Sequence, residues 1–547
     1  MGNRLKMTAI AVFMAAGVFW AGAQQPPANS PVARHGQLRV VGNQIVGAHG
    51  NPVQLRGMSL YWSIGGGVDF YRAGVVQHLR SDWRADVVRA AMAVERNFNN
   101  NDRGFIADPE GNRSRLLTVV NAAIEEGMYV IIDWHSYQAE LNQQQAITFF
   151  QAMATEFRGV PNVLYEIYNE PNGSPGRPAN QNGGVELPSN RNTPWFPTIR
   201  NYMQAVTDAI RAIDTANIIL IGTPNWCQNP EVSTSPGNTI NGKHLAYTAH
   251  FYAGQDASVH RGVLRNRIMT AMDRGFPIFV SEFGLTNASG TGTVDEVETT
   301  RWLDFLDFHH IGWANWSIAA LGETSAAIQS GNGSNPSQWQ LKSSGTYIRN
   351  RLRAAPATTM PFRILRVRDS ESNDPNVEHH VSVTVGGTRS NDEGINTHVI
   401  DNNASVVLTA FPHFSNPPSW RFVRWEGDTQ GLTRVDTSTI TISMNANRTI
   451  TAIFERLTSS AQHQAPGQAV RWSVARSGSS LVLTGPSAAE ASLYNMRGKQ
   501  VGRFTYDGSG RALAIGGQNM PAGRYMVVVR DIATGREVYK DRVMVTK

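Results

Sequence analysis

Short apolar runs alternate with longer amphipathic segments between residues 37 and 353. The runs are rich in Val, Ile and aromatic residues and lie at residues 53–60, 87–94, 128–135, 163–170, 217–226, 245–252, 276–284 and 311–318. Segments of helical period lie between most of them, at residues 116–126, 143–157, 198–213, 263–274 and 297–309. This rhythm predicts an α/β fold, a (β/α)8 TIM barrel with parallel strands covered on both faces. An open doubly wound sheet is the alternative, but no glycine-rich phosphate loop follows the first run.

Three stretches without periodicity divide the chain, at residues 24–36, 353–361 and 457–467. They predict a barrel domain at residues 37–353 and two small β-rich modules at residues 362–456 and 469–547. Both modules have strand-like alternation and lack helical period.

The first residues have the layout of a signal peptide. Arg4 and Lys6 precede an apolar run at residues 7–20, and Ala21-Gly22-Ala23 follows it. We therefore predict a signal peptide over residues 1–23 and a secreted protein, extracellular or on the outer cell surface. A membrane anchor is the alternative, but the run is shorter than the ~20 residues of a spanning helix.

Charge and cysteine content exclude several classes of function. The net charge of +6 is concentrated in residues 471–547, which carry 12 Lys/Arg against 5 Asp/Glu. A basic tail on an acidic-leaning body does not indicate a nucleic-acid partner. Cys227 is the single cysteine, so no internal disulfide forms, and a small buried or semi-exposed residue is the better interpretation than a nucleophile. We expect a monomer.

Polar and aromatic residues stand at the ends of the predicted strands, where the active site of such a barrel lies. They are Arg89, Asp133, His135, Asn169, Glu170, Trp226, His250, Tyr252, Glu282 and Trp316. Packing alone needs no such set of ionisable groups. Two carboxyl groups facing one cavity are what glycoside hydrolysis requires, although the residues alone leave retention and inversion open.

Several motifs resemble glycoside hydrolase family five, in its bacterial endoglucanase branch. They are Val88-Arg89-Ala90-Ala91-Met92, Ile131-Ile132-Asp133-Trp134-His135, Asn169-Glu170-Pro171, His250-Phe251-Tyr252-Ala253-Gly254, Ser281-Glu282-Phe283-Gly284 and Trp313-Ala314-Asn315-Trp316-Ser317. The resemblance implies a retaining endo-β-1,4-glucanase (cellulase) that needs no metal and no cofactor. It covers nearly all of residues 37–353 and nothing beyond them.

The resemblance also implies a role for each matching residue. Glu170 would be the acid/base and Glu282 the nucleophile, with Arg89 and Tyr252 hydrogen-bonded to Glu282. Asn169 would hold the sugar 2-hydroxyl, and Trp316 would form the floor under the sugar. His135 and His250 would line the cleft, although a supporting role in its wall is equally favoured.

Other residues near the strand ends have weaker signals. Trp62 and Trp226 are candidates for stacking on sugar rings, whereas Trp134 and Trp313 suit the core. Tyr61 is a further candidate substrate contact. The chain has Ser59-Leu60-Tyr61-Trp62 where the branch often has a histidine, and Ala320-Leu321-Gly322-Glu323 where a lysine is common. The insertion at residues 173–194 is predicted to form a wall of the cleft.

Alternatives remain open at this stage. Glucomannan, mannan or mixed-linkage β-glucan would use the same catalytic residues, and an inactive surface glycan-binding protein is the alternative from another class. Residues 97–102 suit an exposed loop better than a calcium site.

The two C-terminal modules resemble different bacterial domains. Residues 406–454 resemble internalin-type repeats, with Trp420 and Trp425 as a candidate carbohydrate face or as core. Residues 491–499 and 521–529 resemble C-terminal sorting domains, which implies bacterial outer-membrane secretion or surface attachment machinery as a partner. A basic adhesion module that holds the enzyme near anionic surface polymers is the alternative.

Overall fold

The computed structural model describes residues 25–99, 102–171, 197–255, 258–370, 381–389, 397–411, 420–456, 473–477, 480–484, 488–495, 499–506, 513–515, 523–531 and 537–545. The predicted signal peptide and the insertion at residues 173–194 lie outside the described residues. The chain divides into two compact units, Met1–Leu264 with Ala271–Thr359, and Arg265–Thr270 with Met360–Lys547. The finer division of the C-terminal part into two modules stays a prediction.

The first unit contains a closed barrel of eight parallel strands. In chain order the barrel strands are Arg56–Leu60, Val87–Ala93, Tyr129–His135, Val163–Glu166, Ile219–Ile221, Leu245–Tyr252, Ile278–Gly284 and Gly312–Ile318. Strand eight closes the barrel on strand one, with Trp313 opposite Arg56. The predicted (β/α)8 fold is confirmed, and each apolar run contains one strand.

Seven helices of nine or more residues are described in the chain. They are Ala73–Ser81, Pro109–Glu125, Gln143–Phe157, Pro197–Arg211, Gly262–Asp273, Glu296–Phe308 and Ser343–Arg353. Asp108 and Asp295 cap two of them, since each carboxylate accepts the N–H three residues on, from Gly111 at 3.1 Å and from Glu298 at 2.9 Å. The sequence pattern did not single out the first and last helices, because each buries only two or three large apolar side chains.

Short elements complete the first unit. A hairpin of Arg39–Val41 and Gln44–Val46 precedes the barrel, and Asn97–Asn99 pairs with Asp102–Arg103. Short α-helical segments lie at Pro31–His35 and Pro230–Ser233, and Pro224–Cys227 is a turn with left-handed backbone. Short 3-10 turns lie at Gly65–Phe70, Ala139–Asn142, Ser258–His260 and Pro336–Gln338. The candidate calcium stretch at residues 97–102 lies partly outside the described residues. Asp102, within it, accepts a hydrogen bond from the Gly65 N–H at 2.7 Å.

The barrel interior is apolar towards the amino ends of the strands. Leu55, Val87, Ile131, Leu164 and Phe279 meet there in one buried cluster. Because this layer fills the lower barrel, the polar inward-facing side chains collect at the carboxyl ends. Among the described residues, no helix has both the length and the apolar character that crossing a bilayer requires.

The second unit is rich in β-structure, as predicted. Its first part forms two four-stranded sheets from Phe362–Asp369, Val381–Val385, Thr388–Arg389, Thr397–Asp401, Ser405–Ala410, Trp420–Gly427, Thr439–Ser443 and Arg448–Arg456. Trp425 is 1 % exposed in the core between them, and its indole N–H donates to the Thr437 carbonyl. Of its two interpretations, the structure therefore places Trp425 in the core, while the Trp420 side chain lies outside the described part.

The remainder of the second unit forms two further sheets. One has three strands, Ser473–Ser477, Ser480–Thr484 and Leu513–Ile515. The other has four, Ala489–Asn495, Gln500–Tyr506, Gly523–Asp531 and Glu537–Val545. All pairings in these two sheets are antiparallel.

Gly57 permits close pairing of the first two barrel strands, because a Cβ there would lie 1.8 Å from the Val87 carbonyl oxygen. We expect Gly57→Ala to destabilise the barrel by on the order of 3 kcal/mol, seen as a lower Tm in calorimetry. Gly74→Ala is the matched control: nothing lies within 4 Å of the added Cβ, and alanine favours the helix. Equal Tm values for the two variants would contradict this account of Gly57.

Candidate active site

The carboxyl ends of the barrel strands bring the predicted polar residues together. Glu282 on strand seven is in register with His250 on strand six, and Ser59 on strand one is in register with Arg89 on strand two. Asn169 and Glu170 follow strand four, beyond its last paired residue. Their N–H groups donate to the carbonyls of Trp134 and Ser136, each at 3.2 Å, which fixes both residues at the mouth of the barrel.

Both carboxylate oxygens of Glu282 accept hydrogen bonds. The Tyr252 hydroxyl donates to Oε1 at 2.6 Å, and Arg89 Nη1 donates to Oε2 at 3.0 Å. Two strands thus hold the carboxylate in one orientation. This suits a group that attacks a carbon atom rather than one that delivers a proton.

Glu170 lies in a different environment, 7 % exposed and without a cationic hydrogen-bond partner in the described chain. Its Oε1 is 2.8 Å from His250 Nδ1, and His250 Nε2 is 2.9 Å from the Ser281 hydroxyl. Burial raises the pKa of Glu170 to about 8, opposed by Arg89 and reinforced by the charges of Asp133 and Glu166. Burial also lowers the pKa of His250 to about 4, so its ring is neutral at neutral pH. Glu170 therefore keeps a proton that it can give to a leaving group.

The two glutamates face each other closely. One oxygen from each of them and one nitrogen of His250 all lie within 4.8 Å of one another. Retaining glycosidases place their two carboxyl groups ~5 to 5.5 Å apart, and inverting ones leave ~6.5 to 9.5 Å for a water molecule. The spacing favours retention. Among the described residues, the same three side chains form the one group with spacing suited to a metal ion.

Arg89 links Glu282 to the rest of the site and is fully buried. Its Nε donates to Glu166 at 2.6 Å, and its Nη2 lies 2.6 Å from Asn169 Oδ1 and 2.9 Å from Asp133 Oδ2. The Asn169 amide is thereby oriented with Nδ2 buried and without a protein acceptor. A free donor at this place fits the predicted contact with a sugar hydroxyl.

Aromatic rings form one wall of the site. The Trp316 ring stacks against His135 at 5.2 Å between centroids, and Tyr61 lies 5.4 Å from Trp316. Trp62 is packed behind them, 5.3 Å from His135 and with the Arg96 guanidinium 4.1 Å over its ring. Burial holds the pKa of His135 well below its usual range, and its Nε2 is buried without a protein partner.

Trp226 lies on the side of the site that carries Glu170. The backbone N–H of Trp226 donates to the carbonyl of Pro171, the residue directly after Glu170, at 3.2 Å. Asn225, Trp226 and Cys227 all have left-handed backbone, with φ of 57°, 54° and 57°. The Trp226 side chain is half-buried, and its predicted stacking role stays a prediction.

The structure adds residues that the sequence reasoning did not assign to the site. Glu166 was missed because its place beside Asp133 depends on the register of strands three and four, which the sequence pattern does not give. Ser59 and Ser281 were missed as partners of Arg89 and His250. Asp133, one of the polar residues predicted at the strand ends, contacts Arg89 and, at 2.7 Å, His135 Nδ1. Trp134 and Trp313 are fully buried in the core.

The protein-family model described as cellulase (glycosyl hydrolase family 5) matches residues 46–322, about half of the chain. This chain belongs to glycosyl hydrolase family 5. A second model, the divergent InlB B-repeat domain, matches residues 377–458 of this family 5 protein and supports the predicted repeat-like β-module.

Curated relatives of the family 5 chain include two bacterial endoglucanases. Endoglucanase Z of Dickeya dadantii is 39 % identical over 335 residues, which cover 59 % of this chain and 70 % of the relative. The endoglucanase of Clostridium saccharobutylicum is 36 % identical over 333 residues, which cover 59 % of this chain and 66 % of the relative.

Solved structures give the same picture. A structure from Cytophaga hutchinsonii matches with a TM-score of 0.52 and 39 % identity, and the match covers 59 % of this chain and 96 % of the solved chain. The catalytic domain of Thermobifida fusca endoglucanase Cel5A matches with a TM-score of 0.50 and 30 % identity, covering 59 % of this chain and 100 % of its own.

The raised pKa of Glu170 predicts the alkaline limit of activity of this family 5 hydrolase. An ordinary glutamate has a pKa of ~4.3, so the raised value keeps the acid protonated at neutral pH, and the proton is lost as the pH rises through about 8. We expect kcat/KM for an aryl cellobioside with a poor leaving group to fall through that range. A dinitrophenyl cellobioside needs no protonation and serves as the control, with a flatter alkaline limb. A fall centred near the ordinary glutamate pKa would contradict the assignment.

Proposed function

We propose that the protein is a retaining endo-β-1,4-glucanase that hydrolyses internal bonds of cellulose by double displacement. The observation that carries the proposal is the pair of glutamates. Glu282 is held by Arg89 and Tyr252, whereas Glu170, with an oxygen within 4.8 Å of an oxygen of Glu282, is kept protonated by burial. One group is prepared for attack and the other for proton donation.

In the first step, a Glu282 oxygen bonds to the anomeric carbon while the bond to the glycosidic oxygen breaks. Glu170 gives its proton to that oxygen, and the shortened chain leaves with a free hydroxyl group. Glu282 is then an ester of the remaining sugar, and Glu170 is a carboxylate. Arg89 and Tyr252 keep the ester near the site in which the carboxylate was held.

In the second step, a water oxygen attacks the anomeric carbon, and Glu170 accepts a proton from that water molecule. The ester bond breaks, Glu282 regains its carboxylate and Glu170 is protonated again. Two inversions at the same carbon give net retention. The neutral His250 ring beside Glu170 adds no fixed positive charge, so the glutamate can release its proton and regain it within one cycle.

Substrate contacts are assigned to the polar atoms and rings that the protein leaves free. Asn169 Nδ2 and His135 Nε2 are buried and lack protein partners, so they suit sugar hydroxyl groups. Trp316 supplies the platform under the sugar at the cleavage site, with Tyr61 and Trp62 behind it. Trp226, next to Pro171, is assigned to the leaving-group side.

Cellulose is favoured as the substrate because relatives over the same part of the chain are named endoglucanases. Glucomannan, mannan and mixed-linkage β-glucan remain alternatives, since they would use the same two glutamates. An inactive glycan-binding protein is disfavoured, because an unused pair of buried glutamates in this geometry would be costly to retain.

Reducing-sugar release by the mature protein tests the substrate directly. On carboxymethylcellulose, lichenan and glucomannan in parallel, we expect the highest kcat/KM on the cellulose derivative. Glu282→Gln removes the nucleophile and should lower kcat by at least about 10⁴-fold. Preference for glucomannan would reassign the substrate and leave the mechanism in place. No activity on any of the three would support the binding protein.

Export and surface attachment are proposed from the two ends of the chain. The charge and apolar pattern of residues 1–23 favours cleavage after Ala23, and the basic β-rich residues 469–547 favour a sorting or attachment role. The proposed form is a monomer.

Peptide mapping of the protein from its native host tests export. The amino-terminal peptide is expected to begin at Gln24, and deletion of residues 469–547 is expected to move activity from the cell surface to the medium. Deletion of residues 362–456 is the control and should leave the location unchanged. An amino terminus at Met1 on the active protein would contradict cleavage.

A further inference from the structure

Three carboxyl groups surround the one guanidinium at the centre of the barrel mouth. Asp133, Glu166 and Glu282 contact Arg89 at 2.9, 2.6 and 3.0 Å, and the side chains of Arg89, Asp133 and Glu166 are 0 % exposed. Three ionised carboxylates against one cation would leave two uncompensated negative charges in a space closed to solvent. Such charges are strongly disfavoured, and one of the groups takes up a proton instead.

The hydrogen bonds indicate which groups share the proton. Asp133 and Glu166 are in register on adjacent parallel strands. Each uses one oxygen towards Arg89, and each leaves the other, Asp133 Oδ1 and Glu166 Oε1, buried without a hydrogen-bond partner. In Glu282, by contrast, both oxygens accept hydrogen bonds. Both carboxyl groups thus contact the same guanidinium, and each has a free buried oxygen on which a proton can reside, so the two titrate as a coupled pair.

We propose that the Asp133–Glu166 pair holds one shared proton at neutral pH, and that Glu166 acts as a positioning residue that orients Arg89 towards Glu282 and Asn169. The pair then carries one negative charge and Glu282 the other. The claim about the proton stands apart from the proposed function, whereas its consequence for catalysis rests on it.

The other charged and titratable groups around the pair leave the proton in place. His135 shares Asp133 Oδ2, His250 interacts with Glu166 from strand six, and Glu170 interacts with both members of the pair from the end of strand four. Both histidines are neutral because burial lowers their pKa. The Tyr71 hydroxyl donates to backbone carbonyls, and burial holds its pKa well above the usual range. Burial raises the pKa of Asp133 to about 8, opposed by Arg89 and reinforced by Glu282. Burial likewise raises the pKa of Glu166.

The charge on the pair matters for Glu282. Arg89 reaches Glu282 with Nη1 while its Nε and Nη2 are occupied by Glu166, Asn169 and Asp133. With a single negative charge on the pair, the guanidinium still attracts the nucleophile. A second charge there would draw Arg89 towards the pair and would also oppose ionisation of Glu170 after the first step.

Infrared spectroscopy of the full chain tests the proton. The background variant is Glu170→Gln, so that the acid/base carboxyl contributes nothing, and Asp133→Asn and Glu166→Gln are added singly and together. At neutral pH we expect each single substitution to remove the same C=O band of one protonated carboxyl, and the double variant to remove no more. Loss of no band, or additive loss of two bands, would overturn the shared proton. Circular dichroism establishes that each variant is folded.

Kinetics with Glu166 variants test the positioning role. The glutamine amide oxygen can accept the Arg89 Nε hydrogen bond as a neutral carboxyl group does, so Glu166→Gln should keep kcat within about tenfold of the wild type. Glu166→Ala removes the acceptor and should fall about a further 100-fold in kcat with little change in KM, as expected when a reacting group is misplaced by ~1 Å. Equal loss in both variants would mean that the charge of Glu166 is required and would overturn the proposal. If the wild type were inactive on every glucan, the infrared result would still decide the proton.

Discussion

The Arg89 guanidinium has no exposed surface, so its N–H groups depend on acceptors that neighbouring strands bring to it. Glu166, Asn169, Asp133 and Glu282 supply them from strand three, from strand four and the residues after it, and from strand seven. Removing a partner from such a buried cation leaves an uncompensated charge, which is costly. The contacts therefore restrict how these strands shift along one another, and the position of the nucleophile follows from that restriction.

Glu170 and Glu282 show how one residue type can lie in two different environments within 4.8 Å. Glu282 lies where a cation and a phenol reach it, while Glu170 lies where a neutral histidine ring is its hydrogen-bond partner. The apolar lower barrel and the aromatic wall keep solvent from both. The surroundings therefore suit the two glutamates to the two different roles proposed for them, without any difference in the side chains themselves.

The barrel could be predicted from sequence because parallel strands covered on both faces are continuous apolar runs, which few other elements produce. The residues at the strand ends followed from the same pattern, and the roles of Glu170 and Glu282 came from the family resemblance. Strand four ends at Glu166 and strand five at Ile221, earlier than the runs indicate. After strand four, the Ile167, Asn169 and Glu170 N–H groups still donate to carbonyls on or after the adjacent strands, but they do not continue a regular ladder. The contacts of Glu166 depend on barrel register, and the burial of Trp62 depends on Arg96; neither is encoded in local pattern.

The single cysteine gives the active site an unusual neighbour. The Cys227 thiol is buried, donates to the Asn169 carbonyl at 3.1 Å and lies 3.1 Å from the Thr248 hydroxyl, and burial holds its pKa well above the usual range. A thiol that is both inaccessible and protonated reacts slowly with oxidants and with disulfides. The protein can thus meet an oxidising environment without cross-linking to other chains, even though a sulfur atom contacts the residue that precedes Glu170.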